Sequence, residues 1–254
     1  HNTHISFVVV KIGVLSGKGG VGKTTVSVSL AIALAKKGHK VGILDCDLTG
    51  ANIHDILGKR ELRITSDDKF IPVESNGVKY MSLGLIASDG DPVLWDAKDI
   101  RSAARQMFER TEWGDLDYLV IDFPPGFTSE TLEMLPLIDY ALIVTIPSAL
   151  SKSKVDRTIE AMREYEKPIL GIIINMSYFV CQHCYRRNKI FDENGNYSIP
   201  IIAELPFDPK IANNKYIEDF PIDKVLKAIK QPITLKKGGR SLKRKLIKLI
   251  LGIR

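Results

Sequence analysis

Gly17-Lys18-Gly19-Gly20-Val21-Gly22-Lys23-Thr24-Thr25 is the stretch of sequence that decides the fold. It matches the phosphate-binding pattern G-x-x-x-x-G-K-[ST] and lies between an apolar run, Phe7–Leu15, and a helical pattern, Val26–Ala35. In that context the backbone N–H groups of the turn surround a phosphate at the positive end of the following helix. The stretch therefore predicts a nucleotide site, in which Lys23 reaches the β- and γ-phosphates and the Thr24 hydroxyl holds Mg²⁺.

The bulk composition is that of a soluble α/β domain. A chain of 254 residues is long enough for a sizeable core, and its 44% apolar and 26% charged residues are ordinary for a globular protein. The apolar runs are far shorter than the roughly 18 residues of a membrane span, and residues 1–4 lack the features of a signal peptide. Three cysteines are too few for a disulfide framework, so we expect a protein of the reducing cytoplasm.

Apolar runs without period-two alternation predict buried strands, and helical patterns alternate with them. After the first run, the predicted strands are Val41–Leu44, Tyr118–Ile121, Tyr140–Ile146, Ile169–Asn175 and Ile201–Leu205. The predicted helices are Val26–Lys37, which Gly38 closes, Lys98–Arg110, and Val155–Tyr165 with Ser151 or Ser153 near its N-cap. This order predicts an α/β fold with a mostly parallel sheet and helices on both faces.

Ligands of such sheets bind at the carboxyl ends of the strands. The polar residues that fall at these predicted ends are Asp45, Asp47, Asp122 and Asn175. Asp122 ends its strand in the manner of a Walker B aspartate, which binds Mg²⁺ directly or through water, opposite the P-loop hydroxyl. An aspartate after a strand is common, and it is the presence of the P-loop that favours this functional interpretation.

The second lysine of the glycine-rich turn makes the pattern more specific. The run K-G-G-V-G-K-T-T, residues 18–25, resembles the deviant Walker A motif of the MinD/ParA/nitrogenase-iron-protein ATPases. The resemblance implies a P-loop fold of that type, ATP as the nucleotide, and a homodimer in which Lys18 reaches the nucleotide of the partner subunit. Phosphoryl transfer depends mainly on positioning and charge stabilisation, so no strong base is strictly required. We expect slow turnover at such a site.

Two further segments resemble parts of the same ATPases. The pattern D-x-D-x-x-G-x-N, residues 45–52, resembles their switch I, which implies that Asp47 orients or activates the attacking water and that Asp45 supports Mg²⁺. The alternative is that both carboxylates only cap a helix that starts near Ile53. Residues 122–126 resemble the D-x-P-P-G segment of the family. The implied catalytic residues are Lys18, Lys23 and Asp47.

The adenine contacts also follow only from the resemblance. In these ATPases the adenine lies between a strand-end asparagine and a later loop, and the corresponding places here are Asn175 and residues 205–208, which include Pro206 and Asp208. A strand-end asparagine is by itself more often a turn residue.

Cys181 and Cys184 form a C-x-x-C pair that is open to three interpretations: a redox pair, half of a metal site, or chance. Two thiolates are half of what a tetrahedral zinc ion or a four-iron cluster needs, and a homodimer doubles them to four. The pattern N-M-S-x-F-x-C-x-x-C, residues 175–184, resembles the Mrp/ApbC family of iron–sulfur cluster carrier ATPases, over roughly Ile12 to Ile229. The resemblance implies a [4Fe–4S] cluster held by the cysteine pairs of two subunits and passed to apo iron–sulfur proteins. Zinc stays the alternative.

Charge is distributed unevenly along the chain. Residues 224–254 contain eleven basic and no acidic residues, so the first 223 residues carry −5, from 25 basic and 30 acidic residues. We expect an ATPase domain over residues 1–230, with the cysteine pair in an insertion at about 176–198, and then a linker, 231–239. Residues 241–254 read as an amphipathic basic helix.

Two interpretations of this predicted helix stay open. It docks on its own domain or on the dimer partner, or it binds an anionic membrane surface, as in a MinD/ParA-like positioning ATPase. Nucleic acid is disfavoured, because the tail has no aromatic residue for base stacking.

Overall fold

The computed structural model describes residues 9–47, 52–58, 61–85, 97–190, 196–209, 211 and 215–236. The strands in these ranges are β1 (Val10–Leu15), β2 (Val41–Asp45), β3 (Arg63–Ile64), β4 (Phe70–Ile71), β5 (Val73–Ser75), β6 (Val78–Met81), β7 (Tyr118–Asp122), β8 (Tyr140–Thr145), β9 (Ile169–Val180), β10 (Arg187–Lys189) and β11 (Ile201–Pro206). The helices are α1 (Lys23–Lys36), α2 (Ile53–Leu57), α3 (Ala97–Arg110), α4 (Ser129–Met134), α5 (Ala149–Glu164) and α6 (Ile222–Lys230).

One sheet collects most of these strands, in the order β10-β9-β8-β1-β7-β2-β6-β5, and β11 also pairs with β9. The strands from β9 to β6 run parallel, as does β11, whereas β10 and β5 lie antiparallel at the two ends. The predicted α/β fold with a mostly parallel sheet is therefore confirmed.

Both faces of the sheet are buried. Val120 and Ile43 point into one core, to which α1 and α6 contribute, while Ile121 and Leu44 point into the other, to which α3, α4 and α5 contribute. Successive residues of a strand point to opposite faces, so two buried faces require apolar residues at every position. This is the physical reason why the strands lack period-two alternation.

The register of the three central strands gathers the polar residues at one edge. Asp122 of β7 lies opposite Val14 of β1 and opposite Asp45 of β2. The glycine-rich turn follows β1 directly, and α1 starts at Lys23 within it. The carboxyl ends of β1, β7 and β2 therefore meet beside the turn, as the sequence predicts.

Two helix starts were predicted too late. Helix α1 begins at Lys23 and not at Val26, and α5 begins at Ala149 with Ser148 at its N-cap, so the predicted start at Val155, with its cap at Ser151 or Ser153, is wrong. Polar residues occupy or follow the helix starts, with K-T-T at the beginning of α1 and S-K-S-K directly after the first two residues of α5. Apolar periodicity therefore becomes visible only one or two turns after the helix has begun.

The predicted end of β9 at Asn175 is also wrong, because the strand continues to Val180. Residues 178–180 pair antiparallel with β10, and Tyr178 also lies opposite Pro206 of β11. Asn175 therefore lies inside a strand. The first five residues of the predicted insertion at 176–198 extend the sheet itself.

The chain after α6 returns to the sheet. Ile233 and Ile169 exchange two backbone hydrogen bonds, of 2.8 and 2.9 Å, and Ile233 and Leu235 pack against the buried core. The domain boundary at residue 230 stays a prediction, and the predicted helix over residues 241–254 lies outside the described residues. Within the described ranges, none of the helices combines the length and the apolar character that crossing a membrane requires.

Candidate functional site

The glycine-rich turn has a backbone shape that needs glycine. Gly20 and Gly22 have φ values of +74° and +75°, and Gly22 is also the N-cap of α1. A Cβ atom on Gly22 would lie 2.3 Å from Nδ2 of Asn175, which donates a hydrogen bond of 2.9 Å to the carbonyl oxygen of Val21. The turn is therefore held from β9 as well as by its own backbone.

A cavity of about 320 Å³ opens over this turn. Its described lining consists of Ser16, Lys18, Gly19, Gly20, Val21, Gly22, Lys23, Thr24, Thr25, Asp47, Asn52, Asp55, Ile56, Pro125 and Ile211. Gly17 packs against α5 instead, where a Cβ atom would lie 2.7 Å from the Lys154 carbonyl oxygen. Asn175, Pro206 and Asp208 are not among the lining residues, so their contacts with adenine stay a prediction.

The Lys23 ammonium group is buried against the Walker B carboxylate. Oδ1 of Asp122 accepts hydrogen bonds from Nζ of Lys23 at 2.8 Å and from Oγ of Ser27 at 2.7 Å, and Oδ2 accepts one from Oγ1 of Thr24 at 2.7 Å. The side chains of Lys23 and Asp122 are only 6% and 0% exposed. The structure thus brings together three residues that the sequence analysis selected. It adds Ser27, whose one signal is its place a helical turn after Lys23.

A second buried carboxylate, Asp45, lies beside the first. Its Oδ2 accepts hydrogen bonds from Oγ of Ser82 at 2.9 Å and from the Ile53 backbone at 3.4 Å, and its Oδ1 accepts one from the Asp47 backbone at 3.1 Å. Burial, and next the charge of Asp122, raise the pKa of Asp45 to about 7. Two adjacent buried carboxylates with a nearby hydroxyl, that of Thr24, are oxygen ligands of the kind that Mg²⁺ prefers, so the residues fit this ion.

Asp45→Asn should stabilise the protein at pH 8 when no nucleotide or Mg²⁺ is present. The pKa of Asp45 is about 7 in the folded protein against an ordinary 3.8, so its contribution favours folding below pH 3.8 and is lost as the pH rises through 7. Each unit of pKa corresponds to about 1.36 kcal/mol, which gives a gain of up to ~4 kcal/mol at pH 8 and almost none at pH 4. Urea unfolding of both proteins at the two pH values measures this difference.

Asp115→Asn is the control for that experiment, because the Asp115 side chain is 95% exposed and the substitution should change the free energy of unfolding by less than about 0.5 kcal/mol. If Asp45→Asn raises the free energy of unfolding at pH 8 by no more than this control does, the Asp45 carboxylate is not destabilising.

The cysteine pair lies at the tip of a hairpin made by β9 and β10. The backbone N–H of Cys181 donates to the carbonyl oxygen of Arg186 at 3.0 Å, and that of Tyr185 donates to the carbonyl oxygen of Cys181 at 2.8 Å. Hydrogen bonds from the backbone N–H groups of Cys184 and His183, and from the Cys184 thiol, lower the pKa of the Cys181 thiol. Cys181 is half-buried and Cys184 is exposed, so both sulfur atoms are accessible as ligands.

An apolar groove of about 740 Å³ lies beside Cys181. Phe179, Val180 and Phe207 contribute to it with 42–44% of their surface exposed. Within the described residues, three or more His, Cys, Asp or Glu side chains do not converge anywhere in a way that could hold a metal ion. The pair therefore supplies two ligands, next to a patch of exposed large apolar side chains of the kind found at protein interfaces.

Residues 8–231 match the model of a ParA family that is described as the NUBPL iron-transfer P-loop NTPases. The chain belongs to this family. An iron-sulfur cluster carrier protein of Saccharolobus solfataricus is 42% identical over 214 residues, which are 80% of this chain and 72% of that protein. One from Helicobacter pylori is 38% identical over 77% of this chain. The chain spans only 56% of the length of the H. pylori protein.

A solved structure extends the family likeness to the fold. The nucleotide-binding protein of Archaeoglobus fulgidus, solved in complex with ADP and with cobalt found in it, has a TM-score of 0.70 and 31% sequence identity. The match covers 90% of this chain and 94% of the other. The fold described above is therefore similar to that of a solved nucleotide-binding protein.

The arrangement of β9 could not be recognised in the sequence. Asn175 binds the turn of the nucleotide site, and Cys181 follows six residues later in the same chain segment. One extended strand thus connects the two parts of the candidate site. Sequence analysis missed this connection because it ended the strand at Asn175.

Proposed function

We propose that the protein hydrolyses ATP and carries a [4Fe–4S] cluster between the cysteine pairs of two copies, which it delivers to apo iron–sulfur proteins. The observation that carries the proposal is the accessible pair Cys181 and Cys184, which the single strand β9 joins to the nucleotide site. The names of the S. solfataricus and H. pylori relatives support the same role.

In this proposal the P-loop binds the triphosphate of ATP through its backbone N–H groups. Mg²⁺ neutralises charge on the β- and γ-phosphates when it is bound, and Thr24 and Asp122 would hold it with support from Asp45. Lys23 exchanges its ion pair with Asp122 for the phosphates, which carry more negative charge. Asp47 lines the cavity and orients the attacking water.

Lys18 has a different place in the mechanism. It is exposed at the mouth of the cavity, unlike the buried Lys23. An exposed lysine has the freedom to reach the nucleotide of a second subunit, where its charge stabilises the transition state. This role requires a homodimer, and so does the cluster.

The cluster is the cargo of the protein and needs four thiolates, of which each copy supplies two. The apolar groove beside Cys181 gives a second copy a surface to cover. Zinc would accept the same four thiolates, and the experiment below separates the two metals.

Anaerobic reconstitution with iron and sulfide tests the proposed function. We expect about four iron atoms and four sulfides per two chains, a broad absorption near ~400 nm, and a shift from monomer to dimer in size-exclusion chromatography with light scattering. Addition of an apo-ferredoxin should then move the iron to the recipient. Bound zinc that iron does not displace, or a dimer without metal, would contradict the carrier function and favour a structural zinc site or a positioning ATPase.

A further inference from the structure

Met176 is the feature of β9 that the proposed function leaves unexplained. It has φ +53°, although it lies in the middle of a strand and is not a glycine. For a residue other than glycine, this left-handed backbone conformation costs about 1–3 kcal/mol. It persists only where the surrounding structure imposes it. The chain directly before Met176 binds the P-loop, and the chain after it leads to Cys181.

On the nucleotide side, a single peptide unit, Val21–Gly22, connects Asn175 to the cavity. Asn175 donates its hydrogen bond to the carbonyl oxygen of Val21, and the N–H of that same peptide unit belongs to Gly22, which lines the cavity. Because a peptide unit is planar and rigid, a phosphate bound by the Gly22 N–H also fixes the carbonyl group that Asn175 holds. Met176 itself reaches this turn, since its Cε would lie 3.5 Å from a Cβ atom on Gly22.

On the cysteine side, backbone hydrogen bonds hold β9 directly after Met176 to the chain segments that follow β10 and β11. The carbonyl oxygen of Ser177 accepts a hydrogen bond from the backbone of Ile190, and that of Tyr178 accepts one from Phe207. The side chain of Met176 also lines the apolar groove beside Cys181. A rotation at Met176 would therefore be transmitted to the cysteine hairpin and not absorbed by a loose segment.

We propose that Met176 is a positioning residue that couples occupancy of the nucleotide cavity to the conformational order of the cysteine hairpin, residues 177–190. This inference rests on the proposed function, because it assumes that the cavity binds a nucleotide and that the hairpin holds the cargo. With the cavity filled, the Val21–Gly22 peptide is fixed, Asn175 holds it more tightly, and the αL conformation of Met176 is stabilised. With the cavity empty, Met176 relaxes toward extended backbone and the hairpin loosens.

Amide hydrogen exchange with and without saturating MgADP tests the coupling in the protein without iron. In the wild type we expect MgADP to slow amide exchange in the P-loop, residues 17–25. We also expect it to slow amide exchange in residues 177–190 by at least threefold. In Met176→Gly, which removes both the strain and the side chain, the P-loop should still be protected while the effect on residues 177–190 disappears. Met176→Leu keeps a side chain of similar volume that is not branched at Cβ, and this variant should behave as the wild type.

Asn76→Gly is the matched control, because Asn76 has φ +50° in the turn between β5 and β6, far along the sheet from β9. It should leave the response of residues 177–190 intact. Protection of the P-loop without any change in residues 177–190 of the wild type would overturn the coupling and leave the proposed function standing, as would an unchanged response in Met176→Gly. Absence of P-loop protection would contradict both.

Discussion

Lys23→Gln should lower kcat/KM for ATP hydrolysis by about three orders of magnitude, because it removes the P-loop side chain that brings a positive charge to the β- and γ-phosphates bound by the same subunit. The same substitution should also destabilise the protein. The ammonium group forms a 2.8 Å ion pair with Asp122, and both side chains are almost fully buried. Removing one partner of such a pair costs about 3–5 kcal/mol. Steady-state hydrolysis assays and urea unfolding measure the two effects on the same preparation.

A double variant separates chemistry from folding. Lys23→Gln combined with Asp122→Asn removes both charges of the buried ion pair, so most of the lost stability should return while hydrolysis stays lost. Lys18→Ala is the surface control, since Lys18 is exposed; it should leave the stability unchanged and reduce hydrolysis only in the dimer. Hydrolysis within tenfold of the wild type in a folded Lys23→Gln protein would disprove the assigned role of Lys23.

The nucleotide half of the site was accessible to sequence analysis for a simple physical reason. Buried parallel strands are continuous apolar runs, so an aspartate that ends such a run stands out, as Asp45 and Asp122 do. The rule that ligands bind at the carboxyl ends of strands then places both carboxylates beside the P-loop, and the observed register agrees. The two serine hydroxyls that bind these carboxylates were missed. Ser27 is marked only by its place one helical turn after Lys23, and Ser82 follows no periodic pattern, so their roles depend on tertiary contacts.

For the cysteine pair, the sequence predicts the C-x-x-C motif but not the hairpin that carries it. Its hairpin depends on pairing between residues 178–180 and residues 187–189, and short strands of mixed composition such as R-N-K carry no strand signal of their own. The positive φ of Met176 is likewise invisible, because methionine has no preference for that conformation. The link between the P-loop and the cysteines is therefore a property of the folded sheet and not of either motif.

Replacing both cysteines by alanine should abolish cluster binding completely while leaving the fold and the affinity for ATP unchanged. Cys184 is exposed and Cys181 is half-buried at a hairpin tip, so little packing is lost. The hydrogen bonds that the Cys181 sulfur accepts from backbone N–H groups are lost, but the backbone hydrogen bonds from Cys181 to Arg186 and from Tyr185 to Cys181 remain. The measurement is iron content and absorption after anaerobic reconstitution, with calorimetric titration of ATP analogues as the test of an intact nucleotide site.

Mixed dimers decide whether the cluster bridges two copies. A heterodimer of wild type and Cys181→Ala/Cys184→Ala, isolated through two different affinity tags, contains only two thiolates at the interface. If the cluster is shared, this heterodimer should hold none, because a four-iron cluster needs about four thiolate ligands. If it holds half as much iron as the wild-type dimer, each chain binds its own metal. In that case residues outside the described pair must complete the site, and the shared-cluster arrangement is wrong.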